Sequence, residues 1–400
     1  MAAVVGGGFP DGFLWGTATA AHQVEGGNVN NDWWAFEHAP GTPCAQSSGD
    51  ACDSWHRWEE DLDLVAGLGL GAYRFSLEWS RVEPAPGEWS AAALEHYRRI
   101  CAGCHDRGIV PVVTFHHFTS PKWLADDGGW EAPGTPERFA RFCERAVGAL
   151  GDLIGWACTV NEPNVVSLMG YLAGFFPPGA SDRSRRHRVN DAFCRAHRLA
   201  VDALRSGPGS FPVGLTLSMS DYQVLPGGEE RADKIRAGHE DVFLAATEGD
   251  DFIGVQTYSR TRVGPEGMLG PEAGVPTTQM GYEVWPEALE ATVRRAAQVT
   301  GLPVVVTENG IGTDDDAERV GFLARAIEGV ARCLADGVDV RGYLCWSLLD
   351  NFEWTLGYRP TFGLVAVDRQ TFERRPKSSA HWFGALAAAN GQPPVHGGAG

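Results

Sequence analysis

Two glutamates end apolar runs in the same manner. Glu162 stands in "TVNEPN" (159–164), between an asparagine and a proline, and Glu308 in "VTENG" (306–310), beside an asparagine and a glycine. A carboxyl group can give a proton, take one, or attack a carbon. Two of them opposed across a sugar-sized gap are what cleavage of a glycosidic bond requires. Each acid also has a structural reading. Pro163 drives Glu162 toward an extended conformation, and an acid near a helix start is favourable. Glu308-Asn309-Gly310 would serve as turn chemistry. Only their joint placement decides between these readings.

Other polar residues lie at the ends of similar runs: His22, Gln23 and Glu25; Arg74, Ser76 and Glu78 with Trp79; His116 and His117; Asn161; Tyr258; Trp346, with Glu353 and Trp354 just beyond it in "SLLDNFEW". His116 and His117 are adjacent on an extended run, so their side chains point to opposite faces. One faces a site, the other packs outward, and a metal site using both is disfavoured. Arg74 inside a buried strand would be costly without a partner, which implies a carboxylate nearby. A flat aromatic such as Trp346 or Trp354 beside Glu353 suits a sugar, whose CH face it can cover while the acid takes hydroxyls.

The elements that must hold these residues follow from periodicity. Apolar runs begin at Phe13, Leu70, Ile109, Leu153, Pro212, Asp251, Pro303 and Val340. They are continuous rather than alternating, as parallel strands buried on both faces are. Amphipathic segments separate them, with Ser90 as one helix N-cap and Thr135 followed by Pro136 as another, and glycines at several helix ends. Strand–helix alternation repeated eight times predicts a single α/β (β/α)8 (TIM) barrel over residues 1–390, with a disordered tail at 391–400. In such a barrel active sites sit at the C-terminal ends of the strands. Glu162 ends strand four and Glu308 strand seven, so they are expected to face each other across the mouth.

Composition narrows the partners. A net charge of -18 excludes nucleic acid as a ligand, which needs clustered cations. The basic stretch "RSRRHR" (183–188) reads as a solvated loop entering a helix. No apolar run approaches the length of a membrane span, and the start "MAAVVGGGFP" lacks a basic leader, so a cytoplasmic location is expected. Nine cysteines are scattered; only Cys101 and Cys104 are close, without a second pair to suggest zinc.

The blocks "FPDGFLWGTATAAHQVEG", "YRFSLEWSR", "FHHFTSPKWL", "TVNEP", "VTENG" and "WSLLDNFEW...GY", in that order, resemble glycoside hydrolase family 1, the β-glucosidase family, from Phe9 to about Phe383. The resemblance implies the (β/α)8 barrel and a retaining β-glucosidase, with side activity on β-galactosides or β-fucosides. Glu308 would be the nucleophile and Glu162 the acid and then the base, with the carboxyls about 5–5.5 Å apart. Arg74 and Tyr258 would support the nucleophile. Gln23, His117, Asn161, Glu353, Trp354 and Phe362 would hold the sugar, Asn161 on its 2-hydroxyl, and Trp346 would be the stacking floor. Glu353 implies an unphosphorylated sugar. No metal or cofactor is implied, because two glutamates suffice. The implied partner is a small-molecule β-glucoside or related glycoside, with no nucleic acid, no membrane and no feature that sets an oligomeric state. The same acids would serve a transglycosidase or a deglycosylase of natural-product glycosides, and a non-catalytic sugar-binding barrel is the alternative of another class. The chain departs from the family pattern at Gln256, where asparagine is usual, at Phe118, where tryptophan is common, at Thr361, and in a shortened connection between strands five and six. These departures predict a rim open to bulkier aglycones than a second glucose.

Overall fold

The eight apolar runs become the eight strands of one closed barrel. The computed structural model describes residues 8–391, so the tail expected at 391–400 lies, Gly391 apart, outside the described residues. The strands are β1 (Leu14–Ala18), β2 (Ala72–Ser76), β3 (Val110–His117), β4 (Trp156–Asn161), β5 (Val213–Ser218), β6 (Phe252–Gln256), β7 (Val304–Asn309) and β8 (Val340–Trp346). Every neighbouring pair is parallel, and β8 closes on β1 with Leu14 opposite Gly342 and Ala18 opposite Trp346.

Parallel strands need crossovers, and helices supply them: α1 (Ser54–Gly67), α2 (Ala91–Asp106), α3 (Thr135–Leu150), α4 (Arg183–Ser206), α5 (Glu229–Arg236), α6 (Ala288–Thr300), α7 (Asp316–Ala335) and, after β8, α8 (Ser378–Ala388). The strand residues divide by direction. Ala72, Val112, Cys158, Phe252, Val305 and Leu344 form a cluster inside the barrel. Tyr73, Phe75, Val113, Phe115, Ile253, Val255, Val306 and Tyr343 join the larger core between barrel and helices. This two-sided burial is why the strands read as continuous apolar runs.

Ser90 caps α2, accepting from the Ala93 amide at 3.1 Å. Thr135 does not cap α3; it is the first helical residue after Gly134, and its hydroxyl donates to the Gly129 carbonyl at 2.6 Å. Gly134 occupies the cap position instead, so the helix begins one residue earlier than the Thr-Pro pair suggested. Two small sheets lie outside the barrel, one from 221–224, 260–264 and 267–268, the other from 365–367 and 374–376. The sequence reading did not anticipate either.

The strict in-out alternation fails at the mouth. The register of β7 shifts against β6 between Val306 and Glu308, and against β8 between Val306 and Asn309. The register of β4 against β5 shifts between Cys158 and Asn161. Irregularities of this kind at a barrel rim re-aim side chains. Here Thr307, whose hydroxyl lies over Gly254, and the next residue, Glu308, both turn inward.

Candidate active site

The strand ends place Glu308 on a buried cation. Arg74, from β2, is fully buried and donates from Nη1 to Glu308 Oε1 at 2.6 Å, from Nε to Thr114 Oγ1 at 3.0 Å, and from Nη2 to Asn161 Oδ1. The carboxylate partner expected for Arg74 is therefore Glu308. Tyr258, just past β6, donates to the second oxygen of Glu308 at 2.7 Å. Both oxygens of this carboxyl thus face donors, one of them cationic.

Glu162 has the opposite surroundings. It is buried, no cation touches it, and its Oε1 has no partner within the described residues. Its backbone is left-handed, φ 43° and ψ 56°, rather than the extended form Pro163 led us to expect. The cause is the sharp exit from strand to helix. The Glu162 amide still donates to Thr216 of β5 at 2.9 Å, while its carbonyl already accepts from Val165 at 2.9 Å and Val166 at 3.2 Å. Such a conformation is costly outside glycine and persists where the surroundings fix it.

These environments separate the two acids. Burial raises the Glu162 carboxyl well above the ordinary range, the charge of Glu308 raises it further, and Arg74 and Ser218 oppose the shift only in part. Burial also raises Glu308, but Arg74 and the Tyr258 hydroxyl pull it back. The proton of the pair therefore resides on Glu162 and the charge on Glu308.

The cavity above them measures about 240 Å³ and is lined by Glu162, Glu308, Gln23, His117, Tyr258, Trp346, Glu353, Trp354 and Phe362, all anticipated from the sequence. Asn161 and Arg74 are fully buried and lie outside that lining. Asn161 Nδ2 lies 3.2 Å from His117 Nε2, so that nitrogen accepts and Nδ1, which has no partner among the described residues, carries the hydrogen. Burial and the Arg74 charge push the His117 imidazole well down, so it is a neutral donor. His116 points the other way, into Trp130, Phe139 and Phe193. Gln23 donates to the Phe352 carbonyl at 2.8 Å and to Glu353 at 3.3 Å, and its own Oε1 has no partner among the described residues. Burial and Glu308 push the Glu353 carboxyl up to about 8. Below that pH it can donate as well as accept, and phosphate is then disfavoured chiefly because no Lys or Arg lines the cavity.

Glu25 and Glu78 belong elsewhere. Glu25 pairs with Arg81 and Tyr97, and Glu78 holds Asn28, Ser80 and Thr119. The sequence reading missed Val165, Phe176, Ser218, Met280 and Tyr282, which line the cavity. Ser218 ends β5 and was open to the same strand-end reasoning; Met280 and Tyr282 come from the connection after β6 and had no local signal. Among the described residues no group of three or more His, Cys, Asp or Glu is placed to hold a metal ion, and no helix is long and apolar enough to cross a membrane.

A barrel mouth that holds two glutamates in contrasting surroundings, beside two indoles stacked on His117, carries the groups that cleavage of a glycosidic bond requires. Comparison with known proteins agrees. The profile described as glycosyl hydrolase family 1 matches residues 5–260 and 255–392. β-Glucosidase A of Thermotoga maritima is 31% identical over 96% of this chain and 98% of its own length. The β-glucosidase of an Agrobacterium species is 34% identical over 95% of each. Among solved structures, the β-glycosidase BGL167 superposes with a TM-score of 0.91 at 49% identity, covering 98% of this chain and 99% of that one. The Thermotoga maritima β-glucosidase bound to glucoimidazole gives 0.91 at 30% identity, covering 96% and 99%. The chain belongs to glycosyl hydrolase family 1. It is an enzyme that hydrolyses glycosides.

Proposed function

We propose that this enzyme is a retaining β-glucosidase that removes terminal, non-reducing β-D-glucosyl groups by double displacement. The observation that carries the reading is the asymmetry of the two acids: Glu308 ionised between Arg74 and Tyr258, Glu162 protonated with a free oxygen. Glu308 attacks the anomeric carbon as Glu162 protonates the leaving oxygen. Esterification removes the charge of Glu308, so the Glu162 carboxyl becomes more acidic and serves as base for the incoming water. Gln23, His117 and Glu353 hold the glucose hydroxyls, Asn161 takes the 2-hydroxyl, and Trp346 is the floor, with Trp354 and Phe362 beside it. A neutral, unphosphorylated glycone suits a cavity without cations. The names of the relatives support glucose as that glycone.

The leaving-group side has another character. The rest of the lining is Phe118, Val165, Phe176, Ser218, Met280 and Tyr282. Only the Ser218 and Tyr282 hydroxyls are polar on this wall, so it offers few partners to a second sugar. An apolar aglycone fits better.

Glu308→Gly should abolish hydrolysis of 4-nitrophenyl β-glucoside. Glu162→Ala should lower kcat/KM on poor leaving groups by about 10²–10⁴, and less on activated ones, with azide partly restoring turnover. NMR of the first-formed product should give β-glucose; α-glucose would overturn the double displacement, and an active Glu308→Gly enzyme would overturn the assignment.

A further inference from the structure

Asn161 Oδ1 accepts from three groups: Arg74 Nη2, Gln256 Nε2 at 2.8 Å and Thr216 Oγ1 at 3.2 Å. Arg74 can only donate, so the amide oxygen must face it. The amide nitrogen then points the other way, toward His117 and the sugar site. The orientation of Gln256 follows as well, since its own oxygen would oppose an acceptor.

The three donors are not equivalent. Thr216 divides its hydroxyl between Asn161 and the Val160 carbonyl, 3.4 Å away. Arg74 also serves Glu308, whose charge vanishes whenever that carboxyl is esterified. Gln256 is neutral and fully buried, and Asn161 is the only partner its side chain has among the described residues. Its hold on Asn161 is therefore independent of the state of the nucleophile.

Reach explains the residue type. Gln256 ends β6 opposite Ser218 and Glu308, and β5 separates it from β4. Adjacent strands lie about 4.8 Å apart, so the side chain spans roughly 10 Å of sheet together with Asn161. An asparagine at this position would be one methylene shorter.

We propose that Gln256 is a positioning residue: it fixes the Asn161 amide with its NH2 turned to the sugar 2-hydroxyl, through both the free and the esterified states of Glu308. The inference rests on the reading of Asn161 as the 2-hydroxyl ligand in the retaining mechanism. The test compares 4-nitrophenyl β-D-glucoside with its 2-deoxy analogue. Gln256→Leu keeps the bulk and removes the donor. Its kcat/KM should fall roughly tenfold on the glucoside, the worth of one hydrogen bond, and by less than about threefold on the 2-deoxy substrate. Asn161→Ala should show the same selective loss, and the double variant should be no slower than Asn161→Ala. Equal losses on both substrates, or none, would overturn the proposal. Should thermal melting show Gln256→Leu unfolded, Gln256→Asn, too short to bridge, must give the same split. An unmodified enzyme inactive on both substrates would instead refute the glucosidase reading, and this inference with it.

Discussion

At the scale of single residues, the proposed mechanism rests on one carboxyl being surrounded by donors while the other is not. Arg74 and Tyr258 were both identifiable as supports of Glu308, Arg74 because a buried cation needs an anion and Tyr258 by family resemblance. What each does to the proposed nucleophile is separable by pH. The Tyr258 hydroxyl lowers the Glu308 carboxyl relative to burial alone. Tyr258→Phe therefore leaves Glu308 with a higher pKa, so less of it is ionised at low pH. The acidic limb of the kcat/KM profile should move upward by about 0.5–1 pH unit, the equivalent of one hydrogen bond, while the alkaline limb set by Glu162 stays in place. A limb that moves downward, or an unchanged profile, would mean that Glu308 does not set it.

At the scale of elements, strands and helices were legible because burial on both faces and one-sided burial leave different periodicities. Ser90 was legible as a cap, Thr135 was misread, and the two small outer sheets were not foreseen. The irregularity in β7 was not legible either. A bulge depends on the registers that β6 and β8 impose, and nothing in "VVVTEN" betrays it. The turn that follows shows how tightly this end is built. A Cβ on Gly310 would overlap the Trp346 carbonyl of β8. Gly310→Ala should cost about 1–3 kcal/mol in urea unfolding and lower activity by displacing Glu308. Gly321→Ala, on an exposed face of α7 with nothing near its Cβ, should leave stability unchanged or raise it by up to about 1 kcal/mol. Equal effects of the two substitutions would refute this account of the β7–β8 junction.

At the scale of the molecule, the cavity is a joint product of connections far apart in the chain. Phe118 follows β3, Phe176 the β4 exit, Met280 and Tyr282 the segment after β6, and Phe362 the segment after β8. Two aromatic chains line it: Phe176, Phe118 and Trp354 at 4.9–5.6 Å between successive centroids, and Phe362, Tyr258 and Tyr282 at 5.8–6.5 Å. Octyl β-glucoside and cellobiose both have poor alcohol leaving groups, so their comparison isolates binding. The octyl glucoside should be preferred in kcat/KM by at least about tenfold, since even two buried methylenes are worth that much. A preference for cellobiose would contradict the apolar reading of this wall.

The sequence by itself determined the eight strands, the helices between them, the two glutamates at strand ends and most of the groups around them. These features are written in residue type and spacing, which local chain geometry converts directly into structure. Only the tertiary structure supplied the donors that set Glu308 apart from Glu162, and decided where the amide of Asn161 points and which segments wall the cavity. Those outcomes depend on charges, donors and loops far apart in the chain, 234 residues for Arg74 and Glu308 and 330 for Gln23 and Glu353, which meet only when the barrel closes.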